Sequence, residues 1–141
     1  MNERQTTWLG LDPGRDKCGI AVIGVADQKL LFHQVVASSE AIATISNLGQ
    51  QFQIEKLIMG DQTTAKKWQQ DLVASGWSQD RIIMVDERYS SLEARDRYWK
   101  MYPPKGLQRL IPQGMRQPPR PVDDIVAIIL IERYLAKTGE N

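Results

Sequence analysis

Acidic residues stand next to apolar runs in four distant parts of the chain. They are Asp12 after WLGL, Asp61 after LIMG, Asp86 and Glu87 after RIIMV, and Asp123 and Asp124 before IVAIILI. In open α/β sheets, sites form beyond the carboxyl ends of the parallel strands, so acids at such ends are expected to converge. Carboxylates brought together repel one another and resist ionisation, and a divalent cation removes that conflict. Because Mg²⁺ and Mn²⁺ prefer hard oxygen ligands, the pattern predicts a two-metal site that hydrolyses phosphodiesters.

Each of these acids also has a simpler structural explanation. Asp12 opens Asp-Pro-Gly, which is a common turn sequence. Asp61 is placed to cap the helix that follows it, and Glu87 with Arg88 is typical of a solvated strand end. The two acids at the start of the last helix are typical of a first turn that complements the helix dipole. The metal prediction therefore depends on the joint placement of the acids.

The apolar periodicity predicts the elements that position these acids. Strands are expected over 8–12, 18–25, 29–38, 54–60 and 81–87, and helices over 40–52, 63–76, 90–102 and 122–139. This order predicts an α/β fold with a mixed sheet of about five strands, three antiparallel strands leading and parallel strands following, and helices on both faces. We further expect Ser38 or Ser39 to cap the first helix, and Ser90 and Glu93 to form a capping box on the third.

Composition restricts the function classes. Hydrophobic residues make up 42% of the chain and charged residues 25%, which predicts one globular domain over 1–141. A net charge of +1 excludes a generally basic nucleic-acid coat but is compatible with a local basic patch. The single cysteine, Cys18, indicates a reducing compartment, and with His33 inside a predicted strand no zinc site is expected. Because the N-terminus has no apolar signal segment and the longest apolar run is 125–131, we expect a cytoplasmic protein without a membrane span.

A basic segment precedes the last helix. Residues 103–121 contain six of the seven prolines, which predicts an irregular loop, and residues 97–122 contain no acid. The basic residues proposed to bind nucleic acid are Arg88, Arg97, Lys100, Lys105, Arg109, Arg116 and Arg120. The interleaved Tyr98, Trp99 and Tyr102 would stack on exposed bases. In the alternative, Tyr98 and Trp99 pack in the core and the proline-rich part is a solvated loop.

Three segments together resemble the YqgF/RuvX family of RNase H-like nucleases. The first is Asp12-x-Gly14-x-x-x-x-Gly19-x-Ala21 on the predicted hairpin. The second is Asp86-Glu87-Arg88 followed by Ser90, Ser91 and Ala94, and the third is Val122-Asp123 leading into Ala127, Ile129, Leu130, Tyr134 and Leu135. The resemblance implies an RNase H-like fold and a metal-dependent nuclease whose catalytic acids are Asp12, Glu87 and Asp123. Asp124 and Asp61 are candidate auxiliary ligands.

The resemblance also implies substrates. Members of the family are linked to maturation of the 5′ end of 16S ribosomal RNA and, by analogy with resolvases, to four-way DNA junctions. The chain departs from the family where Gly60-Asp61-Gln62 replaces the usual Gly-Leu-Pro. The favoured function is therefore a Mg²⁺- or Mn²⁺-dependent nuclease that processes precursor 16S ribosomal RNA, with structured RNA and ribosomal precursor particles as partners. The alternatives are a Holliday junction resolvase-like DNA endonuclease and a non-catalytic RNA- or ribosome-binding module on the same fold.

Overall fold

The computed structural model describes residues 5–138, in which five strands form one sheet and four helices cover its two faces. The strands are β1 (Thr6–Asp12), β2 (Lys17–Gly24), β3 (Leu30–Ala37), β4 (Gln53–Gly60) and β5 (Ile82–Val85). The helices are α1 (Ala41–Gln51), α2 (Ala65–Ala74), α3 (Ser90–Met101) and α4 (Asp123–Thr138). The predicted order of elements is confirmed, although β5 ends before the acids at 86 and 87. None of the helices within residues 5–138 is long and apolar enough to cross a membrane.

The sheet is mixed, as predicted, and its strands lie in the order β3-β2-β1-β4-β5. Strand β2 pairs antiparallel with both β1 and β3. Strands β1 and β4 pair in parallel, and so do β4 and β5. Met59 is level with Leu11 on one side and with Met84 on the other, so the three parallel strands end at the same edge. That edge is where sites form in sheets of this kind.

Two hydrophobic cores lie on opposite faces of the sheet. On one face, α3 and α4 pack against Trp8 and Ile58. On the other face, buried residues of α1 and α2 join Leu9 and Leu57 in a second core. Strand β1 and the second half of β4 are therefore buried on both sides, which is why they read as apolar runs, whereas β4 begins with exposed Gln53 and Glu55 on either side of buried Ile54.

Two glycines allow α4 to lie directly on the sheet. A Cβ atom at Gly10 would overlap the backbone carbonyl oxygen of Ala127, and one at Gly19 would overlap that of Asp123. Gly19 is also the cross-strand partner of Asp12 in the β1–β2 pair. The close approach of helix and sheet therefore brings the first residue of α4 beside the last residue of β1.

The predicted cap of the first helix is wrong. Residues 38–40 form a 3₁₀ turn, and α1 begins at Ala41 behind Glu40, which makes no side-chain cap. The Ser38 hydroxyl instead donates to the carbonyl oxygen of Gly14 in the β1–β2 loop, at 2.8 Å. Ser38 therefore bonds a carbonyl group that is distant in the sequence, and its hydroxyl does not cap the helix.

The predicted capping box of the third helix is also wrong. Ser90 is the first residue of α3 and not its cap, and the cap position belongs to Tyr89, whose φ of 63° is left-handed. Glu93 accepts from Arg133 on α4 at 2.8 Å and so pairs with a different helix. Asp61 does not cap α2 either, because Thr64 holds that position without a side-chain cap.

Candidate active site

The three acids singled out by the sequence come together at the carboxyl edge of the parallel strands. Asp12 ends β1, Glu87 follows β5 by two residues, and Asp123 begins α4. The side chain of Gln62 joins the first two, since its Nε2 lies 3.3 Å from Asp12 Oδ1 and 3.2 Å from Glu87 Oε2. The negative charges of Asp123 and Glu87 both act on Asp12, so all three carboxylates share one electrostatic environment.

These carboxyl groups resist ionisation. Burial, followed by repulsion from Asp123 and Glu87, raises the pKa of Asp12 from 3.8 to about 7 against the opposing hydrogen bond of Gln62. Burial and then the charge of Asp61 raise the pKa of Glu87. Burial likewise raises the pKa of Asp123, although Lys17 opposes the shift. At Asp12 the structure therefore carries the charge conflict that the sequence predicted for converging acids.

Glycine and arginine position Glu87. Its carboxylate lies over Gly60, where a Cβ atom would overlap Oε2. Arg133 of α4 donates to the backbone carbonyls on either side of Glu87, those of Asp86 at 2.7 Å and Arg88 at 2.8 Å. The same guanidinium lowers the pKa of Glu87 through its charge. Sequence reasoning missed Arg133, because its partners lie more than forty residues away.

Asp124 is engaged differently from its neighbour Asp123. Its side chain is 2% exposed, and its two oxygens lie 2.6 Å from His33 Nδ1 and 3.0 Å from Arg120 Nη1. Burial opposes ionisation of Asp124, but the bonds to Arg120 and His33 outweigh it and lower the pKa. Both oxygens proposed as metal ligands therefore have protein partners. The sequence signal for His33 was a polar residue that stands with Gln34 inside an apolar strand.

The donor set suits a hard divalent cation. Asp12, Glu87 and Asp123 supply carboxylate oxygens, and the repulsion by Asp123 and Glu87 that helps to raise the pKa of Asp12 is one that a cation would relieve. Across residues 5–138, no three His, Cys, Asp or Glu side chains are grouped so as to hold a metal ion in the arrangement they adopt here. In this arrangement the amide nitrogen of Gln62 lies between the carboxylates of Asp12 and Glu87. Asp61 is exposed and acts on Glu87 through its charge.

The seven basic residues proposed to bind nucleic acid divide into two groups. Three are half-buried and have protein partners: Arg97 bonds both oxygens of Glu132, Arg120 bonds Asp124, and Arg116 bonds the carbonyl oxygens of Gln108 and Ile111. The other four are exposed, and they are Arg88, Lys100, Lys105 and Arg109, of which Arg109 also donates to the carbonyl oxygen of Gly106 at 3.4 Å. The four exposed side chains are therefore more accessible to phosphates than the three half-buried ones.

The aromatic residues of this segment are mostly core residues. Tyr98 and Trp99 are buried and pack with α4, so the core alternative holds for both and base stacking by them is excluded. Tyr102 is exposed, with the guanidinium of Arg120 5.6 Å from its ring centre.

The proline-rich loop contains two 3₁₀ turns, over 106–110 and 113–115. Its large exposed apolar side chains are Leu107, Leu110, Ile111 and Met115.

Comparison with known proteins agrees with the predicted fold. No protein-family model matches the chain, and no curated protein matches it. Among solved structures, RuvC of T. thermophilus in complex with a Holliday junction substrate is 17% identical, with a TM-score of 0.58 over 96% of this chain and 98% of that one. A second structure of Thermus thermophilus RuvC is 16% identical, with a TM-score of 0.57 over 95% and 97% of the two chains. The expectation of an α/β fold of the RNase H-like type, with a mixed five-stranded sheet, is confirmed.

Proposed function

We propose that this protein is a nuclease that hydrolyses phosphodiester bonds in structured nucleic acid and depends on Mg²⁺ or Mn²⁺. One observation carries the proposal: carboxylates from three elements far apart in the chain meet at the carboxyl edge of the sheet and resist ionisation there. Half-buried acids with raised pKa values at such an edge are typical of functional sites. An ordinary strand end would leave these side chains in solvent.

The residues have distinct roles in this mechanism. Asp12, Glu87 and Asp123 would hold the cation, and Arg133 and Gly60 keep Glu87 in place. When bound, the divalent cation supplies activation of water and neutralises charge at the phosphate. Asp124 is a positioning residue, because its bonds to His33 and Arg120 hold the first turn of α4 against β3 and the end of the proline-rich loop.

Exposed basic residues beside the cluster would hold the polyanion. Lys105 and Arg109 lie on the proline-rich loop, which ends where α4 and Asp123 begin. We expect alanine at both positions to weaken binding of all sequences alike and to reduce the salt slope by about two. Alanine at the exposed Lys66 and Lys67, which lie on α2 across the sheet from α4, is the matched control. Equal weakening by the two pairs would refute a localised interface.

The favoured substrate is the 5′ end of precursor 16S ribosomal RNA, because the sequence resembles the YqgF/RuvX family. Ribosomal precursor particles in the cytoplasm are then the setting in which the enzyme acts. A second candidate is a four-way DNA junction, and it is supported by the likeness in fold to RuvC, which was solved with a Holliday junction substrate.

The test compares wild type with Asp12→Asn and with the control Asp16→Asn, an exposed acid in the same loop. Labelled precursor ribosomal RNA and a four-way DNA junction are each incubated with Mg²⁺, Mn²⁺ or EDTA. We expect cleavage of one substrate, lost in EDTA and in Asp12→Asn and retained in Asp16→Asn. Cleavage that survives both EDTA and Asp12→Asn would refute the metal mechanism. Binding of RNA without cleavage of either substrate would establish the binding-module alternative.

A further inference from the structure

Gln62 makes an unusual set of contacts between the acids. Its Nε2 lies 2.6 Å from the carbonyl oxygen of Pro13, 3.2 Å from Glu87 Oε2 and 3.3 Å from Asp12 Oδ1. The backbone carbonyl can only accept a hydrogen bond, and an ionised carboxylate has the same restriction. The amide must therefore present its NH₂ group to the cluster, with its oxygen turned away.

The amide satisfies these acceptors incompletely. An NH₂ group has two hydrogens, and here it faces three acceptors. The short bond to Pro13 takes one hydrogen, so Asp12 and Glu87 share the other through longer bonds. A neutral donor also brings no formal positive charge to two buried carboxylates, so their repulsion persists.

We propose that Gln62 competes with the divalent cation for Asp12 and Glu87, because its amide bridges the two carboxylates and must leave them when the cation binds. The inference rests on the proposed function, in that the cation is the one the nuclease uses. The amide hydrogens contact Asp12 Oδ1 and Glu87 Oε2, so a cation that takes these two oxygens as ligands repels and displaces them.

The surroundings of Gln62 allow this exchange. It lies in the loop between β4 and α2, is partly exposed, and is flanked by the exposed Asp61 and Thr63. Withdrawing the amide would therefore not open either hydrophobic core. The bridge also joins Asp12 and Glu87 through one side-chain donor, which lies where a shared cation would have to contact both carboxylates.

The test measures cation binding and metal-free stability rather than activity. Mn²⁺ binding is followed by calorimetry, and urea unfolding is followed in EDTA at pH 8, for wild type, Gln62→Ala and the control Gln70→Ala, an exposed position on α2. We expect Gln62→Ala to bind Mn²⁺ about tenfold more tightly, which corresponds to about 1.4 kcal/mol. We also expect it to unfold at lower urea in EDTA, because the bridge is lost. Gln70→Ala should change neither quantity.

Failure of this inference can be distinguished from failure of the proposed function. Weaker Mn²⁺ binding by Gln62→Ala would overturn the inference and make Gln62 a ligand, and unchanged binding and stability would also overturn it. If Gln62→Ala does not fold, Gln62→Met replaces it in both measurements, because methionine has a similar length but no N–H donor. Mn²⁺ binding that is lost in Asp12→Asn but indifferent to Gln62 would defeat this inference alone. An absence of any Asp12-dependent binding would defeat the proposed function as well.

Discussion

Replacing Asp12 by asparagine is expected to stabilise the metal-free protein, and to do so more strongly as the pH rises. The folded protein raises the pKa of Asp12 from 3.8 to about 7, mainly through burial and the charges of Asp123 and Glu87. Between these two values the folded state binds more protons than the unfolded state, so the stability of the wild type falls as the pH rises. Asparagine has the same shape but does not ionise, and it keeps an acceptor for Gln62.

The magnitude follows from the size of the pKa difference. At about 1.4 kcal/mol for each pH unit, ionised Asp12 costs the folded state about 4 kcal/mol above pH 7. The cost is only partly developed at pH 5, so the advantage of Asp12→Asn should grow by about 2–3 kcal/mol between pH 5 and pH 8. For a chain of this size that corresponds to an increase of about 5–10 °C in the difference between the two Tm values.

Urea unfolding in EDTA at the two pH values measures this directly, with Asp16→Asn as the control from the same loop. Saturating Mn²⁺ should reverse the order, because a cation that binds only the folded wild type stabilises it and leaves Asp12→Asn unaffected. An advantage of Asp12→Asn that is equal at pH 5 and pH 8 would refute the electrostatic reasoning. An advantage of Asp12→Asn that shrinks between pH 5 and pH 8 would refute it more directly.

Three further substitutions, one of them with a matched control, test packing and hydrogen bonding in the fold by urea unfolding. Gly19→Ala should destabilise by about 3 kcal/mol, because its Cβ would overlap backbone of α4, whereas Gly49→Ala has open space and should stabilise α1 by about 0.5–1 kcal/mol; similar values for both would contradict the close approach. His33→Phe should cost about 1–3 kcal/mol, because it leaves a buried oxygen of Asp124 without its partner, and no loss would mean that this bond is unimportant. Trp99→Phe should destabilise by about 1–2 kcal/mol through lost ring volume, because the buried indole N–H has no hydrogen-bond partner within residues 5–138; a loss above about 3 kcal/mol would contradict an unpartnered N–H.

The sequence predicted the elements and the edge of the sheet at which the acids lie. Short apolar runs identified β1 and β4 as strands, and apolar positions spaced three to four residues apart identified the helices. Placing Asp12, Glu87 and Asp123 next to such elements required only local patterns and a general rule about parallel strands. Their actual convergence depends on α4 lying close against Gly10 and Gly19.

The hydrogen-bond partners of the side chains could not be predicted from local sequence patterns. Ser38 and Ser90 each stand at a plausible helix start, yet neither provides the predicted cap. His33, Gln62 and Arg133 received no role, because the groups they bond lie 25 to 91 residues away along the chain. Hydrogen bonds need distances held to tenths of an ångström, and those distances depend on how separate elements pack.

The chain by itself thus determined the period of burial, because each strand or helix carries its apolar pattern in consecutive residues. It also determined which residues were acidic at the ends of those elements. Only the tertiary structure decided that Asp123 joins Asp12 and Glu87 while the adjacent Asp124 turns to His33 and Arg120. The physical reason is that neighbouring residues at a helix start point in different directions, so the packing of α4 on the sheet assigns one carboxylate to the acidic cluster and the other to a buried ion pair.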